Sequence, residues 1–206
     1  MEDFNQYQQN QDKFRQMMPD YNPQYNIFDY RVGFGRRVAA AIIDIFIVII
    51  ISGVFGVVFK FLPDVDTLNL HNLMDPAFMD ELEKGYLPFT LLITFIYYSM
   101  EIYFHATPGK IAMGIVIADE AMKYASNGQL ITRFVLKHLD SIIQVIYVFT
   151  WMKFINTIAG FMSFLIVGAF LFCLAASKQA IYDRISKTAI YFRKEVDNAS
   201  KIFNNY

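Results

Sequence analysis

The chain holds one cysteine, Cys173, and it lies in an apolar run. A lone cysteine excludes an internal disulfide and any metal site built on cysteine. In that setting it reads as a small packed thiol inside a helix. Net charge is equally scarce, with 18 basic residues against 19 acidic ones. That balance leaves no field that would draw nucleic acid, so none is expected as a partner. The first 30 residues are polar and lack the apolar core of a signal peptide. Targeting is therefore expected to fall to the first apolar segment. Gly109-Lys110 is no P-loop, because the upstream glycine and the Ser/Thr after the lysine are both missing. His71, His105 and His138 are scattered rather than set at zinc spacing. With no nucleophile constellation, metal cluster or cofactor fingerprint, neither an enzyme nor a bound cofactor is expected.

What the chain has is apolar length. It is 55% hydrophobic and 17% aromatic, too apolar for an ordinary soluble domain of 206 residues. An all-α, multipass membrane protein is expected, with the lipid bilayer as its first partner. A span needs about 20 mostly apolar residues for a hydrocarbon core of roughly 30 Å. Gly33 to Phe59 supplies one, with its helix placed at about 34–59. Arg36 and Arg37 stand at its start, where cationic side chains snorkel to the interface. Asp44 comes seven positions after Arg37, on nearly the same face and roughly 10 Å deeper. A carboxylate there costs about 2.5–3.5 kcal/mol on insertion scales, so it should face protein, water or a cation.

A second span is expected at about 86–104, with Glu101 in its last turn among tyrosines. Glu101 is either interfacial or the second acid of a buried polar cluster. The apolar stretch from Leu139 to Ala176 is too long for one span and suits two, placed at 139–155 and 158–176 with a turn at Lys153, Asn156 and Thr157. Asp140 sits near the start of the third. Ala159, Gly160, Ser163 and Gly168 give the fourth a small-residue face for close helix contact.

The connections are polar. Residues 1–29 read as a disordered tail, with Phe4, Tyr7, Phe14 and Tyr21 as material for a surface-lying amphipathic segment. From Lys60 to about Gly85 runs an acidic loop with Asp64, Asp66, Asp75, Asp80, Glu81 and Glu83, whose spacing fits no calcium-binding EF-hand. Residues 105–138 break the helix at Pro108-Gly109 and lead into the β-branched run Ile115–Ile117. Asn127-Gly128 reads as a turn, giving a small hairpin, and from Thr132 the pattern turns helical with Arg133, Lys137 and His138 at headgroup level. Thr188 to Phe192 reads as a strand able to pair with Ile115–Ile117, and 194–206 as a polar tail.

Basic residues flank the first span, fill 105–138 and crowd the C-terminal segment. All three lie on one side only if the number of spans is even. Four helices with both termini cytoplasmic are therefore expected, by the positive-inside rule. His71 then lies across the membrane from His105 and His138.

Three landmarks, RRVAAAIID, HATPGKIAMGIVIADE and QAIYDRISKTAIYF, occur in order. Together they resemble the RDD family of bacterial membrane proteins, named for one arginine and two aspartates. The resemblance covers residues 30–193. It maps the arginine to Arg37, the first aspartate to Asp44 and the later one to Asp183, and the family loop to Thr107, Pro108, Gly109, Lys110 and Gly114. Ser186-Lys187 departs from the small residues that many members carry before the threonine. The resemblance implies a transport-related protein of the bacterial cytoplasmic membrane, with proton- or sodium-coupled antiport suggested within the family.

Two functions remain open at this point. In the first, Asp44, Glu101 and Asp140, with Arg37 and Arg133 nearby, handle a proton or monovalent cation. Asp44 would be the ion-handling group, Arg37 or Arg133 its modulator, and Asp183 a gate or cap. Burial raises a carboxylate's pKa and a neighbouring arginine lowers it, which is the minimum for coupling. Transport through so thin a bundle would call for a homo-oligomer. In the second, the same groups hold the bundle together, and the chain is an accessory or scaffold for another membrane protein.

Overall fold

The computed structural model describes residues 27–59 and 74–204. The N-terminal tail, its aromatics, and Lys60, Asp64, Asp66 and His71 of the acidic loop lie outside the described residues. After a short 3-10 turn at Ile27–Tyr30, helix α1 spans Phe34–Val58 and α2 spans Pro76–Phe104. The short α3, Pro108–Ala112, leads into strand β1, Ile115–Asp119. Helices α4 (Asn127–Lys137), α5 (Leu139–Thr150) and α6 (Lys153–Leu171) follow. The chain closes with α7 (Ile181–Ile185), strand β2 (Thr188–Phe192) and α8 (Arg193–Asn204).

Among the described residues, three helices are long and apolar enough to cross a membrane: Phe34–Val58, Pro76–Phe104 and Lys153–Leu174, the last counting a 3-10 turn after α6. In the first of them the amphipathicity is inverted. In α1 the buried positions are Arg37, Ala40, Asp44, Ser52 and Gly56, a stripe at helical spacing. The exposed positions include Ile42, Ile45, Phe46, Ile49 and Ile50. Small and polar residues face protein while large aliphatics face outward, which is stable where the surroundings are lipid.

Several boundaries differ from those read off the sequence. The second helix begins ten residues before Tyr86. Asp75 caps it by accepting from the Ala77 N–H at 3.0 Å, with Pro76 at the first helical position. Asp80, Glu81 and Glu83 are thus helical rather than loop. Asn127-Gly128 is not a turn, because Ser126 and Gln129 form a capping box that starts a helix there. The third apolar helix stops at Thr150, five residues short of 155, where Trp151 takes a left-handed conformation (φ 51°). Helix α6 starts at Lys153, so the turn falls at Trp151-Met152. At 12 residues α5 is about 18 Å long, too short to cross alone. Only His138 separates it from α4. The His138 N–H donates to the Phe134 carbonyl (3.0 Å) and its own carbonyl accepts from Ile142 (2.9 Å), so the backbone ladder runs through the break. The expected polar tail begins as helix α8. Of the small residues on α6 only Ala159 is buried, and Gly160 faces open space.

The two strands form an antiparallel pair, Ile115 opposite Phe192 and Asp119 opposite Thr188. Side chains alternate across a strand, and both faces here are covered. Val116, Ala118, Ala189 and Tyr191 pack with Val196 and Ala199 of α8. Ile115, Ile117 and Ile190 pack on the other face with Val32, Ala40 and Leu130. The sheet is therefore a wedge between α8 and the helix bundle. The N-terminal flank joins it, since the Val32 N–H donates to the Ile190 carbonyl at 2.8 Å.

The outward hydrogen bonds of Ile117, to the His105 carbonyl, and of Ile190, to Val32, mark these two as a non-hydrogen-bonded pair. Such pairs bring Cα atoms to about 4.5 Å, within disulfide reach. Ile117→Cys with Ile190→Cys, in a Cys173→Ser background, should cross-link on mild oxidation and shift mobility on a non-reducing gel. Ile117→Cys with Ala189→Cys should not.

Candidate functional site

Asp44 points from α1 into the start of α3. The chain reaches it through His105, which ends α2 in a left-handed conformation (φ 57°). One Asp44 oxygen, Oδ1, accepts from the Tyr97 hydroxyl at 2.6 Å and the Gly109 N–H at 2.7 Å. The other, Oδ2, accepts from the Thr107 hydroxyl at 2.6 Å. Thr107 is also the N-cap of α3, accepting from the Lys110 N–H at 3.4 Å, so one hydroxyl serves as donor and acceptor. Gly109 is required by contact. A Cβ there would lie 2.3 Å from the Ala40 carbonyl oxygen and 2.6 Å from Asp44 Oδ1. Gly114 is required by conformation, with φ +66° at the entry to β1.

Among the described residues Asp44 is bonded to no arginine, so neither Arg37 nor Arg133, the two candidates for its modulator, is its direct partner. Arg37 turns the other way. Its guanidinium donates to Asp183 Oδ2 at 2.7 Å, to the carbonyls of Val32 (3.1 Å) and Lys178 (2.5 Å), and to Cys173 Sγ at 3.3 Å. The second oxygen of Asp183 accepts from Arg133 Nε at 2.7 Å. Arg133 continues through Nη1 to Glu101 Oε2 at 2.5 Å. Glu101 Oε1 receives Lys137 at 2.7 Å and also Lys110. Six charges thus form one buried chain, Arg37–Asp183–Arg133–Glu101–Lys110/Lys137. Its members come from α1, α7, α4, α2 and α3. Asp183 is wholly buried, Glu101 is 2% exposed, and only the Lys137 side chain, at 20%, is appreciably open.

Burial alone would raise the Asp183 carboxyl, but Arg133 and Arg37 outweigh it and hold the group below the usual range. Burial pushes Lys110 down, to about 7, against the pull of Glu101, and the charges of Lys137 and Arg133 add to the push.

Of the residues singled out from sequence, Arg37, Glu101, Arg133 and Asp183 come together, and Lys110 of the loop motif joins them. Asp44 stands beside them, joined through the Thr107–Lys110 turn. The question left open for Glu101 is answered: it is buried in the polar cluster. Asp140 is elsewhere, accepting from Ser163 at 2.5 Å and Ser141 at 3.3 Å. Sequence reasoning missed Lys137 and Tyr97 as members. Lys137 follows Arg133 by four residues, one face of one helix, and that spacing was the available signal. No group of three or more potential metal ligands occurs among the described residues.

The chain matches the model of the RDD family over residues 31–187, most of its length. No curated protein and no solved structure matches it significantly.

The close approach at Gly109 sets a test. Overpacking ordinarily costs about 1–3 kcal/mol, and here the obstacle is backbone and cannot rotate away. Gly109→Ala should lower the thermal midpoint of the detergent-solubilised protein by several degrees or prevent its accumulation. Gly128→Ala meets nothing within 4 Å and should leave the midpoint unchanged or slightly raised.

Proposed function

We propose that this chain, which belongs to the RDD family, is a transport-related protein of a bacterial cytoplasmic membrane whose proton- or ion-handling element is the buried charge chain centred on Glu101. Asp44 is the clamp that shapes the loop beside it. The observation that carries this is the convergence of Lys110, Arg133 and Lys137 on one buried carboxylate. Buried ion pairs are poor stabilisers, because desolvation offsets their attraction. Ionisable groups kept at membrane depth mark ion or proton pathways more often than structural glue. Any solute or ion that draws a lysine away leaves Glu101 short of a counter-charge, and a proton taken up by the carboxylate restores the balance. That exchange links solute binding to proton uptake.

Four crossings suit this reading. Arg31 bridges Tyr191, Val32 bonds Ile190, and Arg37 pairs with Asp183. These contacts draw both flanks of the bundle to one side, which calls for an even number of crossings. Helices α1, α2 and α6 provide three. The fourth would be the broken helix α4–α5, bent at His138. The excess of Lys and Arg on the shared side supports a cytoplasmic orientation for it.

A second reading has its own observation. All four oxygens of Asp183 and Glu101 are taken by cations. A fully satisfied network can serve only to fix a unique arrangement, which an accessory or scaffold protein needs as much as a transporter.

Proteoliposomes separate the two. Wild type should carry proton flux driven by a sodium or potassium gradient. Glu101→Gln, if it still elutes as folded protein, should lose that flux. Flux undiminished in Glu101→Gln would contradict the role given to Glu101. No flux in wild type would favour the accessory reading.

A further inference from the structure

A cavity of about 230 Å³ lies between α1 and α6. One end is cationic, lined by Arg37, Lys110, Arg133 and Lys137. The walls are apolar, with Ala41 and Ile45 on α1 facing Ile166 and Val167 on α6. Ile45 is 51% and Val167 59% exposed, so the cavity opens sideways onto the outer, lipid-facing surface of the helices. We propose that this cavity holds the phosphate headgroup of an acidic bilayer lipid, with the acyl chains lying against the exposed apolar residues of α1 and α6.

Charge favours such an occupant. The cluster around the cavity contains four cations against three carboxylates, Asp44, Glu101 and Asp183. One positive charge is left over beside an apolar cleft. Asp44 is the one carboxylate among the residues lining the cavity. Both its oxygens are engaged by Tyr97, Thr107 and Gly109. Lys137, the least buried of the cations, has donors to spare beyond its bond to Glu101. Depth fits as well. Arg37 stands at the end of α1 where the helix begins, while Ile45 lies eight residues further along, about 12 Å deeper. A phosphate at the first level and hydrocarbon at the second is the arrangement of a lipid in a leaflet. Basic pockets between membrane helices are recognised sites for acidic headgroups. This site needs only the membrane embedding of the helices, and it stands whether or not the chain transports anything.

The test uses the full chain in a neutral detergent, with lipid retention followed by native mass spectrometry. Phosphatidylglycerol should be retained at one per chain in preference to phosphatidylcholine. Lys137→Gln should weaken retention about fivefold or more, the worth of one lysine at an anionic surface. Ala41→Trp, which fills the mouth from an exposed position and leaves every charge in place, should weaken it too. This second variant decides the matter if Lys137→Gln does not fold. Equal retention of phosphatidylcholine, or retention unchanged in a folded variant, would overturn the proposal. So would full displacement by inorganic phosphate at matched concentration, which would mark a site for a free anion rather than a lipid.

Discussion

Asp183 sits between two arginines, and much of the structure hangs on that contact. Arg37 approaches from the start of the first membrane helix and Arg133 from the amphipathic helix after β1. A carboxylate with no exposure at all is tolerated because each oxygen has its own guanidinium. Remove it, and Arg37 is left buried without a carboxylate while Arg133 keeps only Glu101. Breaking a buried pair in this way typically costs about 3–5 kcal/mol. The contact is also topological. It ties the beginning of the bundle to the segment that follows its last long helix, and it brings β2 alongside β1. Glu101 extends the same logic into α2, so five separate segments meet on two carboxylates.

Asp44 obeys a different rule. Its partners are all neutral donors: a phenol, a hydroxyl and a backbone N–H. Their common effect is to hold the Thr107-Pro108-Gly109-Lys110 turn against α1, close enough that Gly109 has no room for a side chain. That turn in turn aims Lys110 at Glu101. The clamp and the charge chain are therefore two parts of one device. The first sets the position of a lysine, and the second depends on where that lysine is.

How much of this was legible in the sequence varied with the kind of signal. Charges embedded in apolar runs gave away Asp44 and Glu101, because lipid leaves them few places to go. The strand at Thr188–Phe192 showed in its β-branched and aromatic residues. Partners were harder. Arg37 and Asp44 share a face of α1, but side chains on a helix lean toward its N-terminus. Arg37 therefore reaches away from Asp44, toward the loop carbonyls and Asp183. Spacing along one helix reports a face and says nothing of what other segments bring to it. At Asn127-Gly128 a turn signal competed with the Ser126–Gln129 capping box, and the box prevailed. At Asp75-Pro76 a cap and a favoured first residue stood in plain view, inside a stretch whose polarity suggested loop.

The central claim is that Arg37 is coupled to Asp183 and not to Asp44. A pair of double-mutant cycles on thermal stability in detergent tests it most directly, using Arg37→Gln with Asp183→Asn and Arg37→Gln with Asp44→Asn. Contacting residues show interaction energies of about 0.5–3 kcal/mol, whereas uncoupled ones add within about 0.5 kcal/mol. The account predicts strong non-additivity for Arg37 with Asp183 and near-additivity for Arg37 with Asp44. The reverse pattern would contradict it.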